Sequence, residues 1–373
     1  MTTRIAKLLG GTLLLLLTFG PDSLARVELV TIPQRENVRI YLGQPPSALV
    51  QEERAIPLEK GRNKVTFSWQ KASVDGGSLE LVPLTEPEKV SVLGIGFPPG
   101  SSNSVVWEVD STADGEVRFR VTYALNGLRW APEYTAITDA EEKSLVFTAS
   151  AVLTNQSGEK FEGARVQLGV GQPMQRSFDL DESVKAQYLA VPQLKVKKTY
   201  TFETGLYNNN VAQHFVITND TASGLGQEPL YGGKVRMFKR DAQGELAFTG
   251  EDVIPFTPVN EEAKLYLGNA RDIKVERQQL RSDQVNIRRD TSDNVQVFDL
   301  DEQFELKIEN HKAEPVQLKL VDHLAGYWEM QENSQAYEKT DANSIEFKVD
   351  LAPQQEKKVI YRVKRLNLTP EGG

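Results

Sequence analysis

Apolar and charged side chains alternate one for one along much of this chain. That period of two calls for strands with one face packed and one face wet, and it leaves little room for amphipathic helices. Val117, Phe119, Val121 and Tyr123 alternate with Glu116, Arg118, Arg120 and Thr122. Phe304, Leu306 and Ile308 alternate with Glu305, Lys307 and Glu309, and Val316, Leu318 and Leu320 enclose Gln317 and Lys319. Ile345, Phe347, Val349 and Leu351 repeat the pattern around Glu346, Lys348 and Asp350. Antiparallel sheets with one solvated face read this way. Residues 145–153 are also partly apolar at the intervening positions, which suits a central strand. Residues 358–365 set Val359, Tyr361 and Val363 opposite basic residues, a device that protects a sheet edge. Turn signals at Asp75-Gly76-Gly77, Asp114-Gly115, Asn126-Gly127, Ser157-Gly158 and Gln243-Gly244 fall at the intervals expected of sandwiches. Helical spacing is confined to residues 180–190, read as one short helix capped by Asp181 or Ser183. The expected fold is all-β, a multi-domain set of antiparallel β-sandwiches of immunoglobulin-like or fibronectin-like type with little helix.

Residues 1–25 read as a secretory signal peptide. Arg4 and Lys7 precede an apolar run from Leu8 to Phe19, Pro21 breaks it, and Ser23-Leu24-Ala25 offers a cleavage site before Arg26. The run falls short of the ~20 apolar residues a membrane span needs. The mature chain is therefore expected to be extracytoplasmic, periplasmic or secreted, with no membrane span. Three blocks follow. An N-terminal β domain covers residues 26–97. A Pro-Gly-Ser linker around residues 97–103 leads to a central sandwich, residues 104–198, whose stretch 172–198 is an irregular excursion. A C-terminal region, residues 199–368, is expected to split near 290–294.

Composition narrows the chemistry. The chain has no cysteine, so disulfides, zinc-thiolate sites, iron–sulfur clusters and cysteine nucleophiles are excluded. Its 43 basic and 52 acidic residues give a net charge of −9, which argues against nucleic acid as a partner. Its three histidines, His214, His311 and His323, fit no metal spacing, and no Gly-x-Ser-x-Gly elbow occurs. No cofactor is expected. Carboxylates are the remaining reactive groups. Phe178-Asp179-Leu180-Asp181-Glu182 recurs as Phe298-Asp299-Leu300-Asp301-Glu302. Asp179, Asp181, Asp299 and Asp301 are thus candidates for a glycan hydrolase pair or for calcium ligation. Trp69 and Trp107 stand in phase with core positions, whereas Trp328 in Gly326-Tyr327-Trp328 is the tryptophan best placed to meet a ligand. Residues 271–289 hold six basic and three acidic side chains, which a solvated strand face explains.

Ordered motifs add a family. Val121-Thr122-Tyr123, Gly127-Leu128-Arg129-Trp130-Ala131-Pro132-Glu133-Tyr134, Thr154-Asn155-Gln156-Ser157-Gly158 and Val166-Gln167-Leu168-Gly169-Val170-Gly171 come first. Gly232-Gly233-Lys234-Val235-Arg236-Met237-Phe238-Lys239-Arg240, Leu265-Tyr266-Leu267-Gly268-Asn269-Ala270-Arg271-Asp272-Ile273 and Ile308-Glu309-Asn310-His311-Lys312 follow. Over residues 104–364 this order resembles the mucoidy-inhibitor-A-like proteins, whose C-terminal part is a bacterial domain of unknown function (DUF4139-type). Many relatives carry a coiled-coil insertion that has no counterpart here. The resemblance implies a link to the cell envelope, and the family has no established catalytic residues to carry over. Gly127, Trp130, Tyr134, Asn155, Gly158, Gly232 and Gly233 are read as fold-specifying, with Gly127 in an Asn-Gly hairpin turn and Asn155 to Gly158 in a turn between paired strands. The expected role is non-catalytic: a binding or scaffold module for an envelope protein or polysaccharide. A carboxylate-based glycan hydrolase and a calcium-dependent adhesion module are the alternatives.

Overall fold

The computed structural model describes residues 28–29, 33–43, 47–241 and 243–370. The signal-peptide segment, residues 1–25, lies outside the described residues. Those described form 25 strands and two single 3₁₀ turns, with no α-helix. The all-β sandwich expectation therefore holds. None of them forms a helix long and apolar enough to cross a membrane.

Three cores run through five sheets. In the first, a sheet ordered Glu28–Leu29, Gly61–Ser68, Ser104–Ser111, Val90–Gly96 shares its core with a sheet ordered Met174–Phe178, Phe161–Gln167, Asn37–Tyr41, Ser47–Leu58, Gly115–Asn126, Val74–Pro83. Val65, Phe67 and Trp107 meet Val50, Phe119, Tyr123 and Phe161 there. The second core lies between the sheet Ser183–Lys195, Ser144–Asn155, Leu128–Thr138, Gly233–Arg240, Leu246–Ile254 and one end of a six-stranded sheet. That six-stranded sheet is ordered Glu262–Asn269, Val211–Thr218, Lys197–Glu203, Val316–His323, Ser344–Leu351, Tyr337–Lys339. Its other end builds the third core with the sheet Ile273–Arg289, Val295–Asn310, Glu356–Leu368, Tyr327–Asn333. Most pairs are antiparallel, but Arg165–Gln167 runs parallel to Arg39–Tyr41, and Lys234–Lys239 parallel to Glu133–Thr138.

Single strands serve two cores. Along Ser144–Asn155, Leu145, Phe147 and Ala149 enter the second core, and Ala151 and Leu153 on the same face enter the first. Val211 packs in the third core, while Phe215 and Ile217 of the same strand pack in the second.

Several expectations are corrected. Residues 180–190 are not helical: they belong to the turn before, and the body of, strand Ser183–Lys195, which pairs along Ser144–Asn155. The stretch 172–198 is accordingly not irregular. Residues 97–103 do not link two domains but join neighbouring strands Val90–Gly96 and Ser104–Ser111 of one sheet. Residues 37–58 pair into the sheet that holds 115–126 and 161–167, so the chain does not divide near 97–104. Residues 290–294 form the turn of the long hairpin Ile273–Arg289 and Val295–Asn310, closed by Asp290 N–H to Asn294 O at 2.9 Å. Strand Glu356–Leu368 is interior, not an edge. Its basic residues face carboxylates, with Lys358 on Glu305, Arg362 on Asp301 and Arg365 on Glu302.

Candidate functional site

The motif residues converge on one joint. Strands Gly115–Asn126 and Leu128–Thr138 do not pair with each other but belong to different sheets, so Gly127 is a crossing and not a hairpin turn. Asn155 to Gly158 is a second crossing, from Ser144–Asn155 back to Phe161–Gln167. The two lie back to back, with Gln156 N–H donating to Gly127 O at 2.8 Å. Gly127 has φ +88°, and a Cβ on it would stand 2.4 Å from Gln156 O. Gly158 has φ +79°, and a Cβ there would stand 2.2 Å from Lys71 O. Both positions need a left-handed backbone and a bare α-carbon.

Asn155 fastens the joint from inside. It is fully buried. Its Nδ2 donates to Glu159 O at 2.8 Å and Asp179 O at 2.9 Å. Its Oδ1 accepts from Ser157 N at 3.1 Å and Ser157 Oγ at 2.7 Å. Asn310 repeats this plan at the end of its own strand. Its Oδ1 accepts from Lys312 N, and its Nδ2 donates to Glu314 O and Ala352 O. Buried amides persist where every donor and acceptor is used. The other motif residues also hold backbone in place, by side-chain hydrogen bonds or by close approach. Trp130 Nε1 donates to Leu42 O at 3.1 Å, and Tyr134 Oη donates to Tyr231 O at 2.7 Å while its ring stacks on Phe147. Gly233 opens its strand against Pro132, where a Cβ would lie 2.4 Å from Pro132 O, and Gly232 lies beside Phe256 N.

The candidate carboxylates do not come together. Asp179 and Asp181 sit exposed in the turn between Met174–Phe178 and Ser183–Lys195, with Asp179 3.6 Å from Lys160. Asp299 and Asp301 belong to a sheet of the third core. Arg362 clamps Asp301 through Nε at 2.8 Å and Nη2 at 2.5 Å. Asp299 accepts from Asn286 Nδ2 at 2.7 Å and Asn367 N at 2.9 Å. The Arg362 hydrogen bond holds the Asp301 carboxyl below the usual carboxylate range, and the Asn286 and Asn367 donors do the same for Asp299. A glycosidase acid requires the opposite shift. Among the described residues no group of three or more His, Asp or Glu is arranged to hold a metal ion. Trp328 is half-buried, its Nε1 donates to Ala342 O at 3.0 Å, and the Lys339 ammonium lies 4.4 Å over its ring. His214 packs against the stacked pair Tyr207 and Tyr266, where burial lowers its pKa, while His311 meets Glu309, and His323 meets Ser344 and Glu203.

One surface feature was not read from the sequence. Residues 34–39 and 173–175, with Lys160, Glu162, Gly163 and Arg165, line an open trough of about 870 Å³ on the outer side of the first sandwich. Arg39 and Arg165 are direct partners in adjacent parallel strands, and both are exposed. Like charges set directly opposite are destabilising. The neighbouring cations are neutralised: Arg35 pairs with Glu52 and Glu159, and Lys160 with Glu162 and Asp179. Among the described residues no carboxylate pairs with Arg39 or Arg165. A hollow of about 290 Å³ beside the trough is lined by the same two arginines with Tyr41 and Gln167. Two guanidinium groups side by side present parallel donors to a carboxylate, sulfate or phosphate. No signal in either strand alone gives this pair away, because residues 39 and 165 are brought together only by the parallel pairing.

These features define a class: chained β-sandwiches tied at sheet crossings by buried asparagines. A family model described as a domain of unknown function (DUF4139) matches residues 119–365, and the chain belongs to that family. No curated protein matches the chain.

Proposed function

We propose that this chain is an exported, non-catalytic binding or scaffold module of the cell envelope, akin to the mucoidy-inhibitor-A-like proteins, and that its partner is an acidic polysaccharide held in the trough. The in-register pair Arg39 and Arg165 carries this reading, since it costs the free protein repulsion that an anion relieves. An envelope protein is the alternative partner. The signal-like N-terminus supports export, with cleavage near Ala25 and Arg26.

Binding of the full mature chain to a uronic-acid polymer and to its neutral counterpart, followed by calorimetry, tests the reading. The acidic polymer is expected to bind, more weakly at higher salt as exposed charges are screened. The double variant Arg39→Gln/Arg165→Gln is expected to lose about tenfold or more in affinity, the worth of one charge-assisted hydrogen bond. Its melting temperature should hold or rise. Equal affinity of parent and variant, or equal binding of neutral and acidic polymers, would refute the trough. An N-terminus still at Met1, or recovery from the cytoplasm, would refute export.

A further inference from the structure

Sheet edges present unpaired backbone groups, and proteins guard them with charge. This chain does so at almost every edge. Met174–Phe178 carries Arg176, Val74–Pro83 carries Asp75 and Glu80, and Ser183–Lys195 carries Lys185 and Lys195. Leu246–Ile254 and Glu262–Asn269 each hold two charges, as do Tyr327–Asn333 and Tyr337–Lys339. The strand Val90–Gly96 is the exception among the described sheets. It is the outer strand of its sheet, and no charged residue occurs from Val90 to Trp107. Its side chains are also exposed: Leu93 is 50% and Phe97, just beyond its end, 58% accessible. A bulge between Val92 and Gly94 is its one interruption. A Cβ on Gly94 would meet nothing within 4 Å. Beside the edge, Ile95, Phe97, Pro98 and Val106 line a hollow of about 500 Å³, with Lys64 and Glu108 of the two inner strands at its other side.

We infer that Val90–Gly96 is a docking edge for a second copy of this chain, which adds its own Val90–Gly96 antiparallel and extends the sheet from four strands to eight. A two-fold interface requires a patch that complements itself. This strand meets the requirement in two ways. With no charge, copying it creates no like-charge contact. A two-fold axis at Leu93 also sets Val92 opposite Gly94 of the partner subunit, and Val90 opposite Gly96 of the partner subunit, large against small. Backbone pairing then supplies the affinity, as in strand addition generally. One seven-residue edge buries less than the ~800 Å² per partner of a standard interface, so a weak dimer is expected.

Sedimentation velocity of the full mature chain from about 1 to about 200 µM tests this, a range that brackets a micromolar dissociation constant. The expected result is a monomer–dimer equilibrium that Leu93→Lys weakens at least tenfold. Ser91→Lys, at another exposed position of the same strand, should do the same, and it keeps the test valid if Leu93→Lys fails to fold. Because the chain has no cysteine, Leu93→Cys introduces a single thiol, and mild oxidation should trap it as a disulfide-linked dimer. A monomer at every concentration, a dimer that survives both lysine variants, or a Leu93→Cys thiol that stays reduced would overturn the proposal. So would a monomer that instead engages another envelope protein through this edge.

Discussion

Replacing Asn155 by alanine should loosen the joint between the first two cores. The substitution deletes four hydrogen bonds at a site closed to water. It orphans the Ser157 N–H and strips the Glu159 and Asp179 carbonyls of their closer donor, leaving them Ser157 Oγ at 3.5 Å and Glu182 N at 3.4 Å. A buried polar group left without a partner costs about 1–3 kcal/mol, and the two weakened carbonyls and the small cavity add to it, so a net loss of about 2–4 kcal/mol is expected. Asn155→Asp separates donor loss from cavity formation. It keeps the shape but aims a second oxygen at two carbonyls that the native amide reaches at 2.8 and 2.9 Å. Those carbonyls disfavour the charged form and raise the folded-state pKa of the new carboxyl above its unfolded value. Its share of stability is then present below the unfolded value, near ~3.9, and lost as pH rises through the folded one. Guanidinium titrations at pH 7 and pH 5, followed by tryptophan fluorescence, read both effects. Asn155→Asp should be the less stable of the two variants at pH 7 and recover ground at pH 5. Hydrogen exchange at the Gln156 and Ser73 amides should quicken in both. A loss under 1 kcal/mol for Asn155→Ala, or wild-type stability of Asn155→Asp at pH 7, would refute the role given to this side chain.

Other substitutions sharpen the picture. Gly158→Ala should cost about 2–3 kcal/mol, because strain and a backbone clash coincide, whereas Gly244→Ala, with φ +87° and open space, should cost about 1 kcal/mol in the same thermal melts. Asp322→Ala leaves Arg277 and the Tyr361 hydroxyl without their shared buried acceptor and should cost about 3–5 kcal/mol by chemical denaturation. Asp299 and Asp301 are held below their ordinary range, so their stabilisation is present above the unfolded value and is lost as pH falls through the folded one. Asp301→Asn should therefore flatten the fall in melting temperature between pH 5 and pH 2, and an unchanged slope would count against the Arg362 clamp.

Period-two patterning located strands such as Gly115–Asn126, Val316–His323 and Ser344–Leu351, because apolar and polar side chains alternate in a regular register even where the polar face is partly covered, as at Thr122, Ser344 and Glu346. It failed at Ser183–Lys195 for a physical reason. Register shifts against Ser144–Asn155 break its inside–outside alternation, so its buried residues Ala186, Val191 and Leu194 show no period of two. Turn residues announce that the chain bends but not which sheet it enters next, so Asn126-Gly127 passed for a hairpin. The carboxylates of Asp299 and Asp301 looked free in the sequence because Arg362 and Asn367 lie more than 60 residues further on. Arg39 and Arg165 were hidden by a parallel pairing across an even greater separation. Local chemistry was legible, and partners brought together by topology were not.

Strands that serve two cores also set how the molecule can fail. If Leu145, Phe147 and Ala149 leave the second core, the same backbone drags Ala151 and Leu153 out of the first. Val211 and Ile217 couple the second core to the third in the same way. Three cores with no flexible hinge between them would then melt in one calorimetric peak, with a van't Hoff enthalpy close to the whole measured heat. A protease acting on partly opened molecules would find few places to cut between fully folded and fully unfolded, because loosening one sandwich unzips the next.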